Sequence, residues 1–340
     1  MKNERLKNIL FTIAFPVGMY LIMEIITMAL VQKQVLNSML DVKTLIRNAG
    51  VSAMIAFALS FNLTSGRFDL SLGAQRLAGT IIGGVIALNL NLSGIWLLIF
   101  AIAFGLLFGF LTGIMFIWLR VPPMVLGIGM GLIWEVFPYV VSGGKGLNLF
   151  GKNGMAILSD TAFIIGVVVI VGIIVTLLMN KTRFGYELKA IQGSQLIAQN
   201  SGINIFKNTV LCYTFAGALV CIAGVIDVSY TTQMAASLGL TSNGVVAANM
   251  FSMILGNYIG RKSNSAIGII VAALTIKIFS YGLTQLELSE ANTSVFNMLL
   301  FVGFLVFLAN EHFAKNRAAE KARIKLAHQM KKNSPAEAVA

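Results

Sequence analysis

Residues 161–179 read TAFIIGVVVIVGIIVTLLM, with no charge among them. Residues 182–193 then read Thr182-Arg183-Phe184-Gly185-Tyr186-Glu187-Leu188-Lys189-Ala190-Ile191-Gln192-Gly193, polar and basic. An uninterrupted apolar run of this length crosses the hydrocarbon core of a bilayer as one helix, because a helix satisfies all of its own backbone hydrogen bonds there. The polar stretch that follows has to leave the hydrocarbon. The same alternation recurs along the chain, with apolar runs at about 9–31, 45–63, 71–90, 94–118, 123–141, 161–179, 209–227, 244–259, 265–283 and 293–310. This pattern predicts an all-α fold, a polytopic transmembrane helical bundle of about ten spans. The run at 9–31 is too long for a signal-peptide core and has no evident cleavage site, so it counts as the first span.

Composition agrees. Of the 340 residues 57% are hydrophobic and only 11% charged, with a mean hydropathy of +0.84. A soluble domain carries about 25% charged residues, so this chain has too little polar surface to dissolve. The net charge of +12 does not point to nucleic acid, because the lysines and arginines cluster at the ends of apolar runs and in the tail. With the N-terminus inside, 19 of the 25 basic residues fall on the cytoplasmic side and five (Lys33, Lys43, Arg47, Lys145, Lys152) outside, with Lys277 within a span. The positive-inside rule therefore predicts both termini in the cytoplasm. Residues 1–310 form the membrane domain, with a cytoplasmic loop at about 180–208. Residues 311–340 form a basic cytoplasmic tail, solvated or resting near anionic membrane lipid.

Several stretches carry more than hydropathy. Gly105, Gly109 and Gly113 recur every four residues, as do Gly79 and Gly83, a spacing that lets helix backbones approach closely. In Leu63-Thr64-Ser65-Gly66-Arg67-Phe68-Asp69-Leu70-Ser71-Leu72-Gly73, Gly66 permits a tight break, and Asp69 can accept free N–H groups of the next helix. Pro122 and Pro123 in Val121-Pro122-Pro123-Met124 mark a sharp cytoplasmic turn. Cys212 and Cys221 lie nine apart in one apolar run, too far round the helix to share a face, and read as small buried hydrophobes.

Taken together, these stretches resemble permeases of ATP-binding cassette (ABC) importers of the ribose/simple-sugar type, in the branched-chain amino acid/ribose permease superfamily. Such permeases read R-F-G-x-x-L-x-A-x-G and then S-G-I-N in their cytoplasmic coupling loop. Here Arg183, Phe184, Gly185, Leu188, Ala190 and Gly193 are followed by Ala198 and Ser201-Gly202-Ile203-Asn204. The segment with Gly66 and Asp69 is similar to their T-S-G-G-I-D-L-S-V-G, with Arg67 in place of the second glycine. The glycine-rich L-G-G-x-x-x-x-G-G-x-G-S late in the family is here Leu255-Gly256-Asn257-Tyr258-Ile259-Gly260-Arg261-Lys262-Ser263-Asn264-Ser265. The resemblance covers about residues 45–310.

The resemblance implies a permease subunit that moves a monosaccharide across the cytoplasmic (inner) membrane of a prokaryote. Its partners would be an ABC ATPase subunit, a second permease subunit, identical or different, and an extracytoplasmic solute-binding protein. ATP and Mg would sit on the ATPase, with no cofactor on this chain. The coupling loop, from Arg183 to Gly202, would dock on the ATPase. Asp69, Gly66, Glu135, Tyr139 and Asn257 are candidates for the translocation path or its gating. Related permeases take nucleosides, a furanosyl signalling compound or branched-chain amino acids, and these remain alternatives.

Four ionisable residues fall inside spans: Glu24, Glu135, Asp227 and Lys277. Each costs about 2.5–3.5 kcal/mol at the centre of an isolated helix, so each should face protein or water. Glu135 lies beside Trp134, Phe137 and Tyr139 and either lines a sugar path with them or forms a structural charge pair, for instance with Lys277. Asp227 is close enough to an external end to be wet. Buried carboxylates also suit an ion-coupled secondary carrier, which would leave the coupling loop unexplained. Ser142-Gly143-Gly144-Lys145-Gly146 lacks the spacing and the hydroxyl of a phosphate-binding loop, so the chain is not expected to be an enzyme.

Overall fold

The computed structural model describes residues 2–152, 154 and 159–333. The stretch between the fifth and sixth apolar runs therefore lies partly outside the described residues, as does the end of the basic tail. Two compact units separate, Met1–Leu286 and Glu287–Ala340. The first holds α1 (Lys2–Leu30), α2 (Met39–Thr64), α3 (Leu72–Asn89), α4 (Gly94–Leu119), α5 (Pro123–Val141), α6 (Thr161–Lys181), α7 (Arg183–Gly193), α8 (Gln195–Asn200), α9 (Ile205–Thr231), α10 (Asn243–Gly260) and α11 (Ser265–Gln285). Two short strands, β1 (Leu147–Asn148) and β2 (Gln233–Met234), pair antiparallel. The second unit is a helix of 44 residues, α12 (Glu290–Asn333), which runs from the last apolar stretch into the basic tail without a break.

Among the described residues, eight helices are long and apolar enough to cross a membrane: α1, α2, α4, α5, α6, α9, α11 and the first half of α12. All ten expected runs form helices. Those at 71–90 and 244–259 are α3 and α10, with 18 residues each, and they are not among the eight. Gln75 and Arg76 in α3, and Asn249 and Asn257 in α10, dilute their hydropathy. Protein rather than lipid surrounds α3, which is buried along most of its length.

The centre of the first unit is α9, against which α2, α3 and α4 pack. The glycine seam read from the sequence makes this possible. A Cβ on Gly105 would lie 2.5 Å from the Gly217 carbonyl oxygen, and one on Gly113 would lie 3.0 Å from the Val210 Cα. Without side chains at these positions the α4 and α9 backbones touch, which supplies dispersion contact where lipid gives no hydrophobic drive. Both cysteines are buried and unbonded to one another.

Candidate functional site

Two places in the first unit concentrate the residues singled out from sequence. The first is the polar segment after α6. Thr182 ends α6 by donating to the Leu178 carbonyl (2.6 Å) and begins α7 by accepting from the Gly185 amide (3.4 Å). The apolar positions Phe184, Leu188 and Ile191 follow at i, i+4 and i+7, so they share one face, and all three are buried. The Phe184 ring lies 5.9 Å from that of Phe61 on α2 and edge-on to Phe215 on α9 at 5.3 Å. Asn208 donates to the Phe184 carbonyl at 3.2 Å. Gly185 is pressed against the Leu178 and Met179 carbonyls and leaves no room for a Cβ. In this way α7 is wedged against the ends of α2, α6 and α9.

The predicted coupling residues therefore divide. Phe184, Gly185, Leu188 and Ala198 face inward, and Ala198 packs with Ile191 and Ile205. Arg183, Ala190, Gly193 and Gly202 face outward. Arg183 is paired with Glu187 at 2.6 Å, yet its side chain is 87% exposed. A Cβ on Gly193 would meet nothing within 4 Å. Gly202 takes a φ of +81° that closes α8, as Ile203 donates back to the Ala198 carbonyl. Sequence reasoning did not single out the large apolar side chains exposed on this segment, Leu196, Ile197 and Phe206, which stand out beside Tyr186. Leu196 and Ile197 lie on α8, and Phe206 lies in the first turn of α9.

The second place is a junction inside the bundle. Gly66, at a φ of +75°, ends α2: its amide donates to the Leu63 carbonyl and that of Arg67 to the Asn62 carbonyl, the paired bonds of a glycine-closed helix end. The chain then turns inward. Asp69 is buried, and its Oδ1 accepts from the Ser71 amide (2.8 Å) and hydroxyl (2.7 Å) at the start of α3. Gln75 donates to the Ser71 hydroxyl at 2.8 Å and to Thr112 on α4 at 3.4 Å, and Trp134 on α5 donates to Thr112 at 2.9 Å. The Cys221 thiol donates to the Gln75 carbonyl at 3.3 Å, so α3 begins beside the middle of α9.

Glu135 completes this junction from α5. It is fully buried and accepts from the Leu240 amide (2.7 Å), the Ser242 amide (3.1 Å) and the Ser242 hydroxyl (2.6 Å), at the start of α10. Gly73 is pressed against the Ser242 carbonyl. The two helices that are not apolar enough to cross alone thus begin side by side, each with a buried carboxylate at its positive end.

The charge pair with Lys277 left open by the sequence is not what forms: Glu135 is answered by amides and a hydroxyl. Of the neighbouring aromatics, the Trp134 and Phe137 rings lie 5.6 Å apart. Trp134 is buried, whereas Phe137 and Tyr139 are 46% and 43% exposed. Asn257 lies fourteen residues along α10 from its start, about 20 Å away by helical rise, and accepts from Ser265 at 3.4 Å. Asp227 is half-buried and holds Arg76 at 2.7 Å, joining α3 to α9. Glu24 accepts from the Val35 amide at 2.9 Å. Between α2 and α9, among the described residues, Arg67 Nη1 and Nη2, both Asn62 amide atoms, Asp69 Oδ2 and the Tyr213 hydroxyl are buried without a hydrogen-bond partner. Together these atoms make a buried polar nest.

Comparison with known proteins follows the same region. The sequence family described as branched-chain amino acid transport system / permease component matches residues 42–306. The ribose import permease protein of Escherichia coli strain K12 is 23% identical over 257 residues, which cover 72% of this chain and 78% of that protein. That of Bacillus subtilis strain 168 is 23% identical over 279 residues, covering 79% and 83%. The galactose/methyl galactoside import permease protein of Haemophilus influenzae is 23% identical over 274 residues, covering 73% and 80%. No solved structure matches the chain significantly.

Proposed function

The chain belongs to the family of branched-chain amino acid transport system permease components, and from this premise we propose that it is the membrane-spanning subunit of an ABC importer that moves a monosaccharide inward. The sugar is favoured because relatives spanning most of the chain are named for ribose and galactose import. A branched-chain amino acid is the second reading, and the family description favours it. Competition of uptake by unlabelled ribose or leucine separates the two.

The observation that carries the proposal is the shape of α7 and α8. The inward face is locked to α2, α6 and α9, and the outward face presents Ala190, Gly193, Leu196 and Ile197, with Phe206 exposed at the start of α9. An ABC ATPase subunit with bound ATP and Mg takes up this outward face. A second permease subunit and an extracytoplasmic solute-binding protein complete the assembly in the cytoplasmic membrane of a prokaryote, with α7 and both termini on the cytoplasmic side. When the ATPases close, α7 moves as a lever, and Phe184, lodged between Phe61 and Phe215, passes the motion to α2 and α9. Packed helices respond as rigid bodies rather than by bending. The end of α2 carries Gly66 and Arg67 with it, so the polar nest opens while the α3–α10 junction, Asp69 included, holds.

Gly193→Trp tests this. The side chain enters open space on the outward face, so membrane levels should stay normal while uptake and co-purification of the ATPase are lost. Unchanged uptake would remove the docking role.

A further inference from the structure

A groove of about 430 Å3 runs between α1 and α11. It lies at the end of the bundle that carries α7: Asn264, which caps α11, donates to Thr176 at 3.3 Å, five residues before α6 ends. Its walls are apolar, formed by Ile9 and Ile13 of α1 and Ile267 and Val271 of α11. Thr12 adds no free donor there, since its hydroxyl is bonded to the Asn8 carbonyl. The mouth differs from the walls, with Asn8, Lys262 and Ser263 gathered there. The Lys262 ammonium sits 4.2 Å above the Phe11 ring, which holds it over α1 instead of letting it range through solvent. Lys7 precedes Asn8 and Arg261 precedes Lys262, and the N-terminus of α11 adds partial positive charge at the same end.

We propose that this groove is a binding site for one anionic phospholipid. An acyl chain lies along Ile9, Ile13, Ile267 and Val271. The phosphate sits at Lys262, with Asn8 and Ser263 as further donors. Charge complementarity selects this occupant: an apolar helix would fill the walls but bring no anion to the Lys262 ammonium, and a zwitterionic lipid answers it only in part. The site does not depend on which solute the chain carries.

The test uses the full-length subunit, purified in detergent, stripped of lipid and titrated with dioleoyl phosphatidylglycerol or dioleoyl phosphatidylcholine, with bound lipids counted by native mass spectrometry. One phosphatidylglycerol should be retained about fivefold more tightly than phosphatidylcholine, the preference one lysine near a headgroup supplies. Lys262→Gln should erase the preference, and Ile267→Trp, at an exposed position, should fill the groove and weaken retention of both lipids. Lys145→Gln, an exposed lysine on another loop, should leave the preference intact. Equal retention of the two lipids by the unaltered chain would overturn the site. So would a preference that survives Lys262→Gln, one lost equally in Lys145→Gln, or retention unaffected by Ile267→Trp.

Discussion

A carboxylate with no exposed surface must have its charge answered, and for Glu135 two amides and a hydroxyl do so. Hydrogen bonds to a charged group contribute about 1.5–3 kcal/mol each. Glu135→Gln keeps the shape but turns one acceptor into a donor that faces donors. The expected result is a lower melting temperature in detergent and slower uptake, with the solute concentration for half-maximal uptake unchanged. A shifted half-saturation at constant melting temperature would instead mean that Glu135 touches the solute. The sequence placed Glu135 in α5 but could not say what it faces. A helix that is apolar all round has no polar face to mark its inward direction, so a sugar path and a structural charge pair both stayed open for Glu135. In the structure Trp134 is buried, while Phe137, in ring contact with it, and Tyr139 are exposed.

Between elements, the close pair is α3 and α10. A methyl group on Gly73 would press on the Ser242 carbonyl, the same residue that donates twice to Glu135. Gly73→Ala should destabilise the purified chain by about 1–3 kcal/mol, the usual cost of overpacking. It should also combine non-additively with Glu135→Gln, by more than about 0.5 kcal/mol, because both act on one joint. Additive losses in a double-mutant cycle would show that the joint is not a unit. Much of this level was legible beforehand. Hydropathy located each of the ten long helices, and Gly66 and Pro123 marked an end and a beginning, whereas the inward face of α7, Phe184, Leu188 and Ile191, went unread behind the expectation that the whole loop docks on a partner. What could not be read was that α3 and α10 differ in kind from the rest. The polar residues of α3 are answered by partners far along the chain, Thr112 for Gln75 and Asp227 for Arg76, and the start of α10 is held by Glu135 of α5. Leu196, Ile197 and Phe206 escaped notice because one more apolar residue is no signal in a chain that is 57% hydrophobic.

For the whole molecule, the orientation inferred from charge is open to direct labelling, since both native cysteines are buried. Lys145→Cys should react with a membrane-impermeant maleimide added to intact cells, and Gly193→Cys only after permeabilisation. The reverse pattern would put α7 on the wrong side for an ATPase. The pair that joins α3 to α9 also has a meaning for synthesis. Arg76 and Asp227 stand 151 residues apart, so at roughly 5–20 residues per second the arginine waits on the order of 10 s for its counter-ion to be made. Throughout that interval α3 is a poor transmembrane segment with a bare cation in its second turn. It has to remain at the membrane surface or in the insertion machinery until α9 arrives. The speed of translation between codons 76 and 227 thus becomes a determinant of yield, a demand on timing that the finished bundle no longer displays.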